Sequence, residues 1–133
     1  MIYRRKAHYH ETDQMGVIHH SNYIKWFEEA RIHMMDQIGV SYREMEEAGI
    51  ISPVLGIQCE YKNMVTFDEE VYIHVAVKEY NGIKLVIEYQ VKDDSGTKLY
   101  TTGESKHCFL NRDRKIISLK KTAPAMHAKF EGR

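Results

Sequence analysis

A chain of 133 residues is long enough for one domain with a real core and too short for two independent ones. Its 19 Lys and Arg balance 19 Asp and Glu, and 43% of its residues are hydrophobic, which excludes a disordered or membrane-embedded chain and leaves no net field to draw it to nucleic acid. The two cysteines, Cys59 and Cys108, show no CxxC or metal-ligand spacing, the opening MIYRRKAHYH lacks the apolar segment of a secretory signal, and no run approaches the ~20 apolar residues of a membrane span. A cytoplasmic address is expected.

The stretch 2–9, IYRRKAHY, sets Tyr3, Arg5, Ala7 and Tyr9 on one face of a strand. A polar loop follows from His10 to Ser21. From Asn22 the spacing turns helical: Tyr23, Trp26, Phe27, Ala30, Met34, Met35 and Ile38 recur at threes and fours on one stripe. Ser21 or Asn22 suits the N-cap, and Gly39 suits the left-handed position that ends a helix. Ser41 to Ala48 carries further helical turns, capped by Ser41 and closed by Gly49.

After Pro53 the period becomes two, with Leu55, Ile57, Cys59 and Tyr61 alternating against Gly56, Gln58, Glu60 and Lys62. Glu70 to Tyr80 alternates Val71, Ile73, Val75 and Val77 with Tyr72, His74, Ala76 and Lys78. Asn81-Gly82, both tolerant of positive φ, then turns the chain into Leu85, Ile87, Tyr89 and Val91. Asp93-Asp94-Ser95-Gly96 makes the next turn, Lys98 to Leu110 continues the meander, and Ile116, Ile117 and Leu119 form a short last strand. One long helix followed by a run of strands predicts an α+β architecture. A single domain over 1–133 packs that helix on one face of an antiparallel sheet of about five to six strands. The other face, with Tyr72 and His74, must meet solvent or a second subunit.

Chemistry concentrates between Glu11 and Tyr23, where ETDQMGVIHHSNY holds a carboxylate, a glycine, two histidines and a helix start. The first turn of a helix presents unpaired N–H groups that stabilise negative charge developing on a carbonyl oxygen. Asp13 nearby can attack or deprotonate water, and Gly16 can turn the loop back so that the two approach. Taken alone, a loop Asp before a helix is most often a turn or capping residue. His8, His10, His19 and His20 lack ligand geometry, so no metal is expected. Glu28 has Arg31 and Lys25 one helical turn away as ion-pair partners. Arg112, Arg114, Lys115, Lys120 and Lys121 form the one basic cluster.

The run TDQMGVIHHSNYIKWFEEAR resembles the signature of the 4-hydroxybenzoyl-CoA thioesterase family through Thr12-Asp13, Gly16-Val17, Asn22-Tyr23, Trp26, Glu28 and Ala30-Arg31. The similarity extends through the strand order to about residue 120. The resemblance implies the hot-dog fold, in which a long helix is wrapped by a curved antiparallel sheet, assembled as a homodimer or homotetramer. It implies hydrolysis of an acyl-CoA to a free acid and CoA, with no cofactor because CoA is part of the substrate. Asp13 then corresponds to the catalytic aspartate, as nucleophile or as general base on water. The backbone N–H groups of His20 and Ser21 polarise the thioester carbonyl, and the His20 imidazole assists proton transfer or positions substrate. Gly16, His19, Ser21 and Tyr23 complete the substrate-binding set, and Met34 and Met35 are placed to reach the acyl pocket. The sequence departs from some relatives at Lys6-Ala7 and at His19, which bears on substrate shape.

No GxSxG elbow is present, so a serine hydrolase is not indicated. A hot-dog dehydratase resembles an Asp-x-Asn-Pro-x-His pattern that Asp13-Gln14-Met15-Gly16 does not match. A noncatalytic acyl-CoA-binding module is the remaining alternative. The acyl group stays open among short aliphatic, long aliphatic and aromatic, and Arg112, Arg114 and Lys115 are candidates for the CoA phosphates.

Overall fold

The computed structural model describes residues 1–133. The elements run β1 (Ile2–Lys6), α1 (Asn22–Ile38), α2 (Tyr42–Glu47), β2 (Val54–Tyr61), β3 (Glu70–Tyr80), β4 (Lys84–Lys92), β5 (Leu99–Cys108), α3 (Leu119–Thr122) and α4 (Pro124–Glu131). The strands form one antiparallel sheet in the order β1-β3-β4-β5-β2, so β1 and β2 are its edges. This is the α+β, hot-dog arrangement that the sequence predicts, with five strands. No helix is long and apolar enough to cross a membrane.

The helical stripe of α1 buries Tyr23, Trp26, Phe27, Ala30, Met34 and Met35 against Val71, Ile73, Val75, Ile87, Tyr89 and Val91 of the sheet. Phe27 stacks on Tyr89 with ring centroids 4.4 Å apart. This approach is possible because β5 offers Gly103 directly beneath the ring. A Cβ there would overlap the Phe27 ring and sit 2.8 Å from the Gln58 carbonyl oxygen. The opposite face carries Tyr72, His74, Lys78, Glu88 and Glu104, with Lys78 paired to Glu104 at 2.8 Å.

Four expectations are corrected. Tyr9 leaves the β1 face: it lies in a short 3-10 turn and is exposed, edge-on to Phe67. Leu55 does not share a face with Ile57, because a bulge pairs Val54 with His107 and Gly56 with Lys106 and leaves Leu55 64% exposed. Asn81 does not take positive φ; its Oδ1 accepts from the amides of Ile83 and Lys84, and Gly82 alone is left-handed in a three-residue loop. Ile116, Ile117 and Leu119 form no strand: Ile116 makes one bridge to Leu110, and Leu119 opens α3. The segment after it folds as α4, started by Pro124 in the first turn and docked by Phe130 against Tyr80 and Phe109.

At the centre of α1 a polar network is buried in the core. Arg31 donates from Nε to the Tyr42 hydroxyl at 2.9 Å and from Nη1 to the Tyr89 hydroxyl at 3.1 Å. The Tyr89 hydroxyl meets Ser105 Oγ at 2.6 Å, which meets His107 Nε2 at 2.7 Å. No carboxylate neutralises Arg31, and His107 Nδ1 has no hydrogen-bond partner. Burial, and then the Arg31 charge, push the His107 imidazole down to about 4.

Two consequences are measurable. Gly103→Ala is expected to destabilise the fold by roughly 1–3 kcal/mol or more in urea unfolding, since neither the Phe27 ring nor the Gln58 backbone can retreat freely; a stability within ~0.5 kcal/mol of the parent would contradict this packing. His107 stays neutral in the fold while an unfolded chain protonates near 6.5, so the unfolded state takes up the extra proton as pH falls from about 6.5 to about 4. Stability is full above that window and declines through it, by on the order of 3 kcal/mol at its lower end. Between pH 7 and 5, His107→Gln should show a shallower loss of stability than the parent; parallel slopes would exclude His107 as the cause.

Candidate active site

The loop between β1 and α1 is tied back on itself before the helix begins. Thr12 bridges Ile18, the Asp13 amide donates to the Val17 carbonyl at 2.8 Å, and the Gly16 amide donates to the Asp13 carbonyl at 3.0 Å. Gly16 closes this turn at φ +79°, a conformation that side chains rarely adopt. Val17 bridges Thr66 and the Ile18 amide donates to Val65, which pins the loop to the segment between β2 and β3.

Asp13 is half-buried at the front of this turn. Its Oδ1 accepts from the Met15 amide at 2.8 Å and lies 3.5 Å from the Val17 amide, while no protein donor reaches Oδ2. One oxygen is therefore held and the other is free. The His20 amide has no acceptor in the protein. The Ser21 amide donates to His19 Nδ1 at 3.2 Å, and the same nitrogen lies 2.8 Å from Ser21 Oγ. Ser21 occupies the N-cap position but makes no side-chain cap, and Asn22 makes none either: its Nδ2 donates to the Glu11 carbonyl.

Asp13, His20 and Tyr23 line an open cleft of about 420 Å³ with Met15, Val17, Ile18, Tyr61, Lys62, Asn63 and Met64. Of the residues expected at the site, these three come together in the cleft. Gly16 shapes the turn behind it, and His19 and Ser21 pair with each other outside the lining. His19 stacks on His20 at 4.2 Å. Tyr61, at the end of β2, was not evident from the local motif. It lies 5.5 Å from the Tyr23 ring, faces His20 edge-on at 6.0 Å, and donates its hydroxyl to the His20 carbonyl at 3.2 Å. Burial pushes both Tyr23 and Tyr61 up to about 12, so both hydroxyls keep their protons at neutral pH.

Several side chains take other places than the sequence suggests. Glu28 is exposed without an ion pair, because Arg31 turns inward to Tyr42 and Tyr89; its neighbour Glu29 pairs with Arg5 at 3.2 Å instead. Met34 and Met35 are core residues and do not reach the cleft. Arg112 donates to the Glu47 carbonyl at 3.3 Å and packs over Gly49, closing the end of α2. A carboxylate with one free oxygen, an open amide at a helix start and a largely apolar cleft between them can accommodate an acyl group and polarise its carbonyl.

Comparison with known proteins gives a consistent picture. A family model described as the Thioesterase-like superfamily matches residues 7–130. YneP of Bacillus subtilis (strain 168), provisionally designated an acyl-CoA thioesterase, is 32% identical over 95% of this chain and 91% of its own length. The structure of a DHNA-CoA thioesterase from Staphylococcus aureus is similar with a TM-score of 0.92 at 36% identity, covering 98% of this chain and 88% of the other. A protein of Aquifex aeolicus is similar with a TM-score of 0.86 at 31% identity, covering 95% and 98% of the two chains. These matches identify the broad superfamily and do not single out its 4-hydroxybenzoyl-CoA branch. From the end of β1 to the end of α4, the chain belongs to the Thioesterase-like superfamily and has its hot-dog fold.

Proposed function

We propose that the protein hydrolyses an acyl-CoA thioester, with the acyl group in the Asp13–Tyr23–Tyr61 cleft and Asp13 as nucleophile or as general base on water. The observation that carries this reading is that one cleft is lined both by Asp13, whose Oδ2 accepts no protein donor, and by His20, whose amide has no protein acceptor. The amide would stabilise the oxyanion as the thioester carbonyl is attacked, and the thiolate leaves with little acid assistance. The His20 imidazole or the Tyr61 hydroxyl, which burial keeps protonated, orients substrate at the cleft wall. Tyr23 and Tyr61, flanked by Met15 and Met64, favour a compact aromatic acyl group over a long aliphatic chain. The likeness to a DHNA-CoA thioesterase supports that preference.

Release of free thiol from benzoyl-, 4-hydroxybenzoyl-, hexanoyl- and palmitoyl-CoA tests the reading. Asp13→Asn is expected to lower turnover by about 100-fold or more while the protein still binds CoA thioesters. Turnover near that of the parent would remove Asp13 from the chemistry, and binding without thiol release in the parent would favour a noncatalytic acyl-CoA-binding module. A best rate with palmitoyl-CoA would overturn the aromatic assignment.

We further propose that the protein works as a homodimer or homotetramer. As an edge strand, β2 has one side unpaired, and Val54, Leu55, Tyr61 and nearby Met64 leave apolar surface exposed along it, 47–64% of each residue. Such an edge needs a cover. A second copy seated there would also close the open side of the cleft at Tyr61 and Met64. Light scattering should return a multiple of the chain mass, and Leu55→Glu should shift it towards the monomer with loss of activity; a monomeric parent at full activity would refute the assembly.

A further inference from the structure

Glu11 stands two residues before Asp13, and neither the motif nor the cleft lining assigns it a role. It is 5% exposed. Its carboxylate receives Arg5 through two bonds, at 2.9 and 3.0 Å, the Trp26 indole N–H at 2.8 Å and the His8 amide at 2.8 Å. Its carbonyl oxygen receives the His19 amide at 2.9 Å and Asn22 Nδ2 at 2.9 Å. One residue thus gathers donors from β1, from the turn after it, from the segment before α1 and from the first turns of α1 itself.

The consequence is geometric. The Asp13 turn is held internally by bonds within residues 13–17, and these set its shape but not its position relative to the helix. The 3-10 turn leading into the Asp13 loop meets the segment leading out of it at the Glu11 carbonyl, where His19 and Asn22 bond. The carboxylate then fastens that crossing to β1 through Arg5 and to the body of α1 through Trp26. Arg5, 4.8 Å over the Trp26 ring and also bonded to Glu29, clamps the other side. Burial favours the neutral acid at Glu11, but the donors from Trp26, His8 and Arg5 outweigh it and hold the carboxyl below the usual range, so the lock is charged at neutral pH.

We infer that Glu11 is the positioning residue of the reaction: its buried ion pair with Arg5 and its bonds to Trp26 and His19 hold the Asp13 carboxylate in register with the His20 amide. This deepens the hydrolase reading and rests on it. Misplacement of reacting groups by about 1 Å can lower a rate by roughly 100-fold, so the effect belongs on the chemical step and not on substrate affinity.

The test is Glu11→Gln, which keeps the shape but sets an amide against the Arg5 guanidinium. Assayed well below its unfolding temperature, it should lose roughly 10- to 100-fold in kcat with KM within about threefold of the parent. Amide hydrogen exchange at His8, His19 and Asp13 should quicken. Phe130→Leu, a buried change on α4, serves as the control for lost stability alone and should leave both kcat and those amides unchanged. If Glu11→Gln folds poorly, Arg5→Lys, which keeps the charge but not the two-bonded fork, should show a smaller fall in kcat in the same direction. A parent-like kcat in a folded Glu11→Gln, or a raised KM with kcat retained, would overturn the proposal. Asp13→Asn run alongside separates the two claims: if it is inactive while Glu11→Gln turns over normally, the lock fails and the hydrolase reading stands. If Asp13→Asn stays active, it is the assignment of Asp13 that fails, and faster exchange in Glu11→Gln would still establish the lock.

Discussion

Close contact between the Phe27 ring and the backbone of β5 at Gly103 governs how α1 lies on the sheet, and the remaining packing follows from it. Where a helix of this kind rides on a side chain, its axis stands off and its neighbours lose van der Waals contact. Here the ring sinks to the strand and stacks on Tyr89. That depth brings Trp26, one residue earlier, inward to Glu11, and places Tyr23, one helical turn earlier, against Tyr61 of β2. The start of the helix, the Asp13 turn and the end of β2 meet in one cleft because the middle of the helix is seated so low.

Two buried polar groupings hold α1, one at its start and one at its centre, and they differ in kind. At the N-terminal end Arg5 and Glu11 neutralise each other, and their further hydrogen bonds reach the turn after β1 at His8 and the helix at Trp26 and Glu29. Such a pair contributes little net stability against an apolar replacement, yet removing one partner leaves the other charge stranded. Its value is geometric. At the centre of the helix Arg31 is buried with two tyrosine hydroxyls and no carboxylate, and its charge is felt by His107 beyond Ser105. That grouping depends on hydrogen bonds to a cation and on a neutral histidine, which makes it sensitive to acid.

The places where sequence patterning succeeded and failed share a physical logic. The α1 stripe, the Ser41 cap, which accepts from the Glu44 amide, and the alternation of β3 and β4 are local, and each appears in the structure within a residue or two of its expected place. Leu55 misled because a bulge changes which residues oppose one another without altering the alternation that announces a strand. Asn81 misled because its side chain, not its φ, makes the turn. α4 buries a single residue, Phe130, and so shows little periodicity; the Ala123-Pro124 junction is its only written signal. Of the candidate site, Asp13, His20 and Tyr23 were legible because they fall within one short motif at a helix start. Tyr61 and Met64 were not, since they arrive from 40 residues or more beyond His20 through the pairing of β2 with β5. Glu11 could be seen as a carboxylate but not as an anchor, for its partners Arg5 and Trp26 lie on different elements.

What the sequence determined by itself was therefore what depends on neighbours along the chain: the long amphipathic helix, the alternating strands, the glycine turn before the helix, and a signature that resembles the thioesterases. The tertiary structure decided what depends on neighbours in space. It chose which face of the Tyr61 strand meets the helix start, turned Arg31 away from Glu28 into the core, and joined Glu11 to Arg5 and Trp26. Local propensity and periodicity are properties of a few consecutive residues, whereas the partner of a buried charge is settled only when the sheet closes on the helix and water is excluded.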